Sequence, residues 1–240
     1  MDNTAVQFTA LLQEQGITLT PKQLEQFELY FKELVSWNEK MNLTGITERD
    51  QVYMKHFYDS LSLSFFMNME DVHKLADIGS GAGFPGIPLK ICFPHLRLTI
   101  VDSLSKRISF LQHISDTLEL QNVQLIHGRA EDIARQFIHR DAYDLVTARA
   151  VARLSLLNEF CLPFTRKDGL FAAMKGNDPT EELAEAKRSF KELRAELSKV
   201  ESFSLPVEES SRHIVFIRKT GATPTKYPRK AGMPAKAPLI

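Results

Sequence analysis

The chain has 240 residues, 43% of them apolar and 25% charged, with a formal net charge of zero. That length can bury a full core and suits one large domain with or without an appendage, and a neutral chain presents no global field for nucleic acid. Cys92 and Cys161 have neither a CxxC partner nor His-rich neighbours, which excludes a disulfide framework and a zinc site, so no metal is expected. No apolar run is long enough to cross a bilayer, and the N-terminus lacks the basic-then-apolar pattern of a signal peptide. A cytosolic protein without membrane contacts is expected.

Residues 1 to about 70 read as helices. Gly16 closes a first short helix, and Thr20-Pro21-Lys22-Gln23 opens a second with a capping box. Leu24, Phe27, Phe31, Leu34 and Val35 form its apolar face. Trp37 to Thr47 reads as a polar loop: helix caps around a turn, or a substrate-facing lip, the caps being the reading that residue chemistry favours. A third helix is expected from about Asp50 to Met67.

From about Val72 strands alternate with helices, which argues for a parallel sheet. The expected strands are Lys74–Ile78, Leu96–Asp102, Val123–His127, Tyr143–Ala148 with Arg149 at its end, and Gly169–Met174 running into Lys175. A helix is expected near Gly86–Cys92, and a long amphipathic one opens at Asp178-Pro179 and carries Leu183, Ala186, Phe190, Leu193 and Leu197. Val200–Leu205 and His213–Arg218 then make a hairpin. Five βα-type strands and a hairpin are the succession of the Rossmann-like, class I S-adenosylmethionine-dependent methyltransferase fold. The organisation is a helical region (1–70), the α/β domain (71–220) and a basic tail (221–240).

Asp77-Ile-Gly79-Ser-Gly81-Ala-Gly83-Phe84-Pro-Gly86 joins the first strand to its helix. Gly81–Gly86 satisfies GxGxxG, a weak sign of a dinucleotide. In the other register an acid, Asp77, precedes three alternate glycines; it would repel a pyrophosphate and suits an ammonium and a cationic sulfur. Asp102 ends the second strand, where an acid accepts from ribose hydroxyls, although it or Ser103 could equally cap the next helix. Glu131 follows the third strand, where an adenine edge would lie; a surface Glu at a helix N-terminus is the competing reading. Phe84 either flanks the cofactor or packs under the turn. Acids after three successive strands favour S-adenosylmethionine over NAD.

After the fourth strand stands Ala148-Arg149-Ala150-Val151 rather than the Asp/Asn-Pro-Pro-aromatic motif of base-amine methylation. No cysteine sits in a strand-end loop to activate a pyrimidine carbon. Lys175 is available for ribose chemistry, but its partner position holds Arg149, a positioner of cofactor or base that does not deprotonate. The remaining acceptor is a ring nitrogen without a proton, such as guanine N7. Arg149 could also be bridged to one of the three acids. From Arg218 to Ile240 there are Lys and Arg but no Asp or Glu; such a tail reads as a disordered, soluble terminus or, with Tyr227 among its cations, as an RNA contact that runs back toward the active face.

Trp37-Asn-Glu-Lys-Met-Asn-Leu-Thr44, His56-Phe-Tyr-Asp-Ser-Leu61, Asp77–Pro88, Arg149-Ala-Val-Ala152 and Lys226-Tyr-Pro-Arg-Lys230 occur in that order. In these stretches the chain resembles the RsmG/GidB family of bacterial 16S ribosomal RNA guanine-N7 methyltransferases over nearly its whole length. The resemblance implies methylation of a guanine in the decoding region. It also implies S-adenosylmethionine contacts at Gly79, Phe84, Ala130, Glu131 and Arg149, besides Asp77, Gly81, Asp102 and Ser103. RNA contacts are expected at Trp37, Asn38, Lys40, Asn42, Lys175, Lys226, Arg229 and Lys230. The expected partner is 16S RNA or the small ribosomal subunit, met by a monomer. The competing functions are a non-catalytic ribosome-assembly factor and an NAD-dependent oxidoreductase.

Overall fold

The structure is a computed structural model and describes residues 3–240. Helix α1 (Asn3–Glu14) packs on α2 (Pro21–Met41), whose start is fixed by a reciprocal capping box: Thr20 accepts from the Gln23 amide, and the Gln23 side chain accepts from the Thr20 amide. Trp37 to Met41 form the last turns of α2 instead of the expected loop, and left-handed Asn42 ends the helix by donating its N–H to the Asn38 carbonyl. The third helical stretch is continuous but irregular: α3 (Arg49–Gln51), a π-helix (Val52–Tyr58), α4 (Asp59–Leu61) and a 3₁₀ turn (Ser62–Phe65). A π-segment of this kind departs from the single regular helix predicted, and such segments concentrate at functional sites.

The strands are β1 (Lys74–Ile78), β2 (Arg97–Asp102), β3 (Val123–His127), β4 (Tyr143–Arg149), β5 (Thr165–Lys175), β6 (Ala195–Ser204) and β7 (Ser211–Lys219). They form one sheet in the order β3-β2-β1-β4-β5-β7-β6; the first five are parallel, and β7 runs antiparallel to β5 and β6. The chain leaves β1 toward one edge and returns beside it as β4, so the crevice at the carboxyl ends of β1 and β4 is the place where a doubly wound sheet binds its ligand.

The connecting helices are α5 (Gly86–Cys92), α6 (Ser105–Thr117), α7 (Ala130–Ile133), α8 (Leu154–Cys161), α9 (Thr180–Glu185) and α10 (Lys187–Glu192). The last two replace the long amphipathic helix expected from Asp178. The helical path breaks at buried Ala186 and ends where Arg194 turns left-handed at φ 54°, so Leu197 pairs with Ile217 in the hairpin. One face of the sheet shares its core with the N-terminal helices through Phe8, Phe27, Tyr30, Phe57, Leu98 and Phe110. The other packs on α8 and the C-terminal segment through Val146, Leu157, Phe164, Ile217, Tyr227 and Leu239.

That segment is packed along its length. Because β7 runs opposite to β5, it ends below the parallel strands, where buried Lys219 meets Asp141 (2.7 Å), the Leu162 and Thr165 carbonyls and the Thr223 hydroxyl. The chain then climbs the helical layer. Arg140 donates to the carbonyls of Thr223, Pro224 and Tyr227, Arg229 clasps Glu159, and the Gly232 N–H reaches Glu131 before a closing turn, α11 (Met233–Lys236). The terminus thus returns over the helices as far as Glu131, anchored by buried Thr223, Tyr227, Pro228, Pro234 and Leu239 while its other side is exposed.

Glu159 is 1% exposed, and its carboxylate takes the Arg229 backbone N–H and two guanidinium nitrogens. Removing one partner of such a pair leaves an uncompensated buried charge. Arg229→Ala is therefore expected to lower stability by about 3 kcal/mol in urea unfolding, with Arg229→Met/Glu159→Leu recovering most of the loss.

Candidate active site

The glycine turn follows β1 and is held from beneath by Asp77, which is fully buried. Asp77 Oδ2 accepts from the Ser80 hydroxyl (2.6 Å) and the Gly86 amide (2.7 Å), while Oδ1 has no partner. Burial pushes its pKa up to about 6. Asp77 thus faces into the protein, and its expected contact with a cofactor ammonium gives way to shaping of the turn.

Two glycines show what the turn requires. A Cβ at Gly83, where φ is +102°, would stand 2.6 Å from the Tyr30 hydroxyl, which crosses from α2 to donate to the Ala82 carbonyl (2.5 Å). At Gly81, where φ is +63°, a Cβ would meet nothing within 4 Å. Gly81 is thus an open cradle, its N–H donated to Asp102 Oδ2 (3.1 Å). Asp102 Oδ1 accepts from the Leu104 amide (3.0 Å), so Asp102 does part of the capping weighed for it and for Ser103, and Ser103 is left exposed. Ala130 opens α7, the short helix after β3. The Glu131 carboxylate turns away into the protein, 3% exposed, and accepts from Gly232.

Phe84 joins the turn to the N-terminal helices. Its ring is 6% exposed, stacked on His56 (4.6 Å) and Tyr30 (5.5 Å), with the Arg149 guanidinium 5.0 Å from its centroid. Of its two readings, packing under the turn describes the ring. Arg149 is bridged to Asp59 (3.0 Å) and not to Asp77, Asp102 or Glu131; it also donates to the Lys55 and His56 carbonyls of the π-helix (both 3.4 Å). Asp59 receives Arg212 on its other oxygen (3.3 Å). Asp59 and Arg212 were missed as site residues; the visible signal was a His and an Asp three positions apart in a helix rich in apolar residues.

His56 Nε2 pairs with the Thr44 hydroxyl (2.8 Å) and Nδ1 lies 3.2 Å from the Lys55 carbonyl. Burial, then the Arg149 charge, holds its pKa down to about 3. The Trp37–Thr44 stretch serves this contact. Asn38 Oδ1 accepts from the Thr44 amide (2.8 Å), Asn42 caps α2, and Trp37 packs on Phe110 and His113. Three of the four residues expected to face RNA there have structural partners, and Lys40 is exposed. Of the other RNA candidates, Lys175 is bound to Glu182 (2.8 Å) and the Ala152 carbonyl, Lys226 to Glu192 and Arg229 to Glu159; Lys230 is exposed.

Beside the turn, at the carboxyl ends of β4 and β5, lies an open cleft of about 510 Å³ lined by Lys55, His56, Asp59, Arg149, Lys175 and Arg212, with His213 on the hairpin. It adjoins the glycine cradle across Arg149 and Phe84. The site therefore has two compartments, one at Gly81 and Asp102 and one at the cleft. Among the described residues no cluster of His, Cys, Asp or Glu could hold a metal, and no helix is long and apolar enough to cross a membrane.

A parallel sheet switching at β1/β4, an antiparallel seventh strand inserted beside β5, and an acid-tied glycine turn define a class I S-adenosylmethionine-dependent methyltransferase. The same fold occurs in an Aquifex aeolicus SAM-dependent methyltransferase (TM-score 0.53, 15% identity, 78% of this chain and 98% of that one). It occurs also in M. jannaschii TYW2 in complex with AdoMet (TM-score 0.51, 17% identity, 68% and 74%). The model of the family described as rRNA small subunit methyltransferase G matches residues 23–215, and the chain belongs to that family. It is 57% identical to the Ribosomal RNA small subunit methyltransferase G of Brevibacillus brevis over 99% of this chain and 100% of that one. Against the Bacillus subtilis protein of the same name it is 54% identical, over 97% and 98%. S-adenosylmethionine is the methyl donor and small-subunit ribosomal RNA the class of acceptor. The open cradle at Gly81, with a carboxylate oxygen at its edge, fits that donor.

His56 makes a pH prediction. Its folded pKa is depressed, so its contribution to stability is complete above about 6.5 and is lost as the pH falls toward 3. At pH 5 that loss amounts to about 2 kcal/mol. The stability difference between wild type and His56→Gln, from urea midpoints, is expected to shrink by this amount between about pH 7.5 and pH 5.

Proposed function

We propose that the acceptor is N7 of a guanine in the decoding region of 16S ribosomal RNA, bound in the cleft against Arg149. The observation that carries this reading is the state of the cleft's acids and buried imidazole. Asp59 lies between Arg149 and Arg212, Glu182 takes Lys175 and the Leu154 amide, and His56 is too weak a base to hold a proton near neutrality. A pocket so arranged suits an acceptor with a lone pair and no proton to lose.

When bound, S-adenosylmethionine supplies an electrophilic methyl group on a cationic sulfur. This chain's residues would do the positioning, which can contribute about 7–11 kcal/mol. The backbone at Gly79 and Gly81 cradles the donor, Asp102 accepts from the ribose, and the chain at Ala130 and Glu131 meets the adenine. Arg149 stands between donor and base, its direction fixed by Asp59 and the π-helix carbonyls. Lys40 and Lys230 are exposed and free to meet phosphates.

His213, whose Nδ1 pairs with Ser202 (2.8 Å), is the other imidazole of the cleft, and it makes the test decisive. Cells lacking the protein are expected to lose one N7-methylguanine from 16S RNA. Wild type and His213→Gln restore it; Arg149→Ala does not. A fall of about 100-fold or more in His213→Gln would mean an acceptor that must be deprotonated. An unchanged modification profile in the deletion would favour the non-catalytic assembly factor.

A further inference from the structure

We infer that residues 221–240 form a strap that fixes the adenine end of the donor site, with Gly232 and Glu131 as its positioning residues. The inference rests on the reading that the chain between β3 and α7 meets the adenine.

That end of the site is weakly held by its own elements. β3 is the outermost parallel strand, none of its residues is fully buried, and α7 has only four residues. The carboxylate of Glu131 is nevertheless 3% exposed, and among the described residues no cation pairs with it. Its Oε1 accepts from the Gly232 N–H at 3.0 Å. Gly232 has φ +83°, a left-handed conformation that lets this amide point inward, and nothing lies within 4 Å of where a Cβ would stand.

The strap is anchored on both sides of that contact. Before it, the backbone and guanidinium of Arg229 hold Glu159 on α8, and Arg135 donates to the Pro228 carbonyl. After it, Pro234 and Leu239 are buried, Leu239 in the core beneath α8. The Gly232 amide is therefore held in place by α8 and supports α7. Without that donor a buried carboxylate loses its partner, and Glu131 must turn outward or α7 must shift. Either movement displaces the backbone that faces the adenine. The linkage is reciprocal, so donor binding tightens the strap.

The test is calorimetric binding of S-adenosylhomocysteine to the full chain. Glu131→Ala, which removes the acceptor, and Gly232→Pro, whose ring cannot adopt φ +83° and so removes both the donor and the turn that aims it, are expected to weaken binding about tenfold. Glu131→Gln, whose amide oxygen accepts from the same N–H, restores it. In methylation assays Gly232→Pro raises KM for S-adenosylmethionine without lowering kcat at saturation, a split that general unfolding would not produce. Amide exchange at residues 229–236 of the wild type slows when S-adenosylhomocysteine binds, a measurement that needs no variant. Unchanged affinity in Glu131→Ala and Gly232→Pro, failure of Glu131→Gln to restore it, or exchange indifferent to ligand would overturn the strap. Ala130→Leu separates the underlying reading: if it binds S-adenosylhomocysteine like wild type, the adenine lies elsewhere; if only Ala130→Leu is impaired, the adenine is placed correctly and the strap is not coupled to it.

Discussion

Everything at this site hangs from a buried carboxylate. Asp77 gives up water, and one of its oxygens has no partner, so its charge is costly where it lies. In return its other oxygen ties the Ser80 hydroxyl and the Gly86 amide across the turn. The fit leaves no slack, since a Cβ at Gly86 would stand 2.8 Å from that same oxygen. With Asp102 holding Gly81 from the next strand, the turn is fixed from β1 and from β2. The path of the turn then decides where Phe84 stands, and Phe84 decides where His56 and Arg149 stack.

The N-terminal helices belong to this arrangement. Tyr30 reaches the Ala82 carbonyl from α2, and the π-helix offers Arg149 two carbonyls and, a residue beyond its end, Asp59. A regular α-helix keeps its carbonyls in its own ladder. Here the His56 carbonyl accepts from the Asp59 amide and the Ser60 hydroxyl and takes the Arg149 guanidinium from β4 as well. The helical region thus builds half of the site, and it shares one continuous core with the sheet.

The succession of strands along the chain, the hairpin and the glycine turn were legible in the sequence because each leaves a local pattern: apolar runs, turn residues, a period of two. The bounds of β1, β3 and α5 were read directly. What a local pattern does not encode is the direction of a side chain at the end of an element. Asp77, Asp102 and Glu131 were rightly found at strand ends, but their partners Gly86, Gly81 and Gly232 depend on how distant backbone comes to rest. Arg149 and Asp59 are ninety positions apart, and no period connects them. The breaks were illegible for another reason. The Asn-rich end of α2 looks like a loop while its helix continues, and the left-handed turn at Arg194 carries no glycine to announce it.

The same geometry explains how a chain without net charge deals with a polyanion. The basic tail looked like a source of attraction, yet Lys219, Lys226 and Arg229 are spent on Asp141, Glu192 and Glu159. Their charges tie the tail down, which is why the terminus is packed at all. The imbalance is at the cleft, where Arg149 and Arg212 share the single carboxylate of Asp59. Lys55 and Lys175 stand on the same walls, each with an acid of its own, Glu208 and Glu182. Two guanidiniums against one carboxylate leave an excess positive charge in a walled cleft, where the field is least screened. The cleft thus carries a local positive excess although the whole chain is formally neutral.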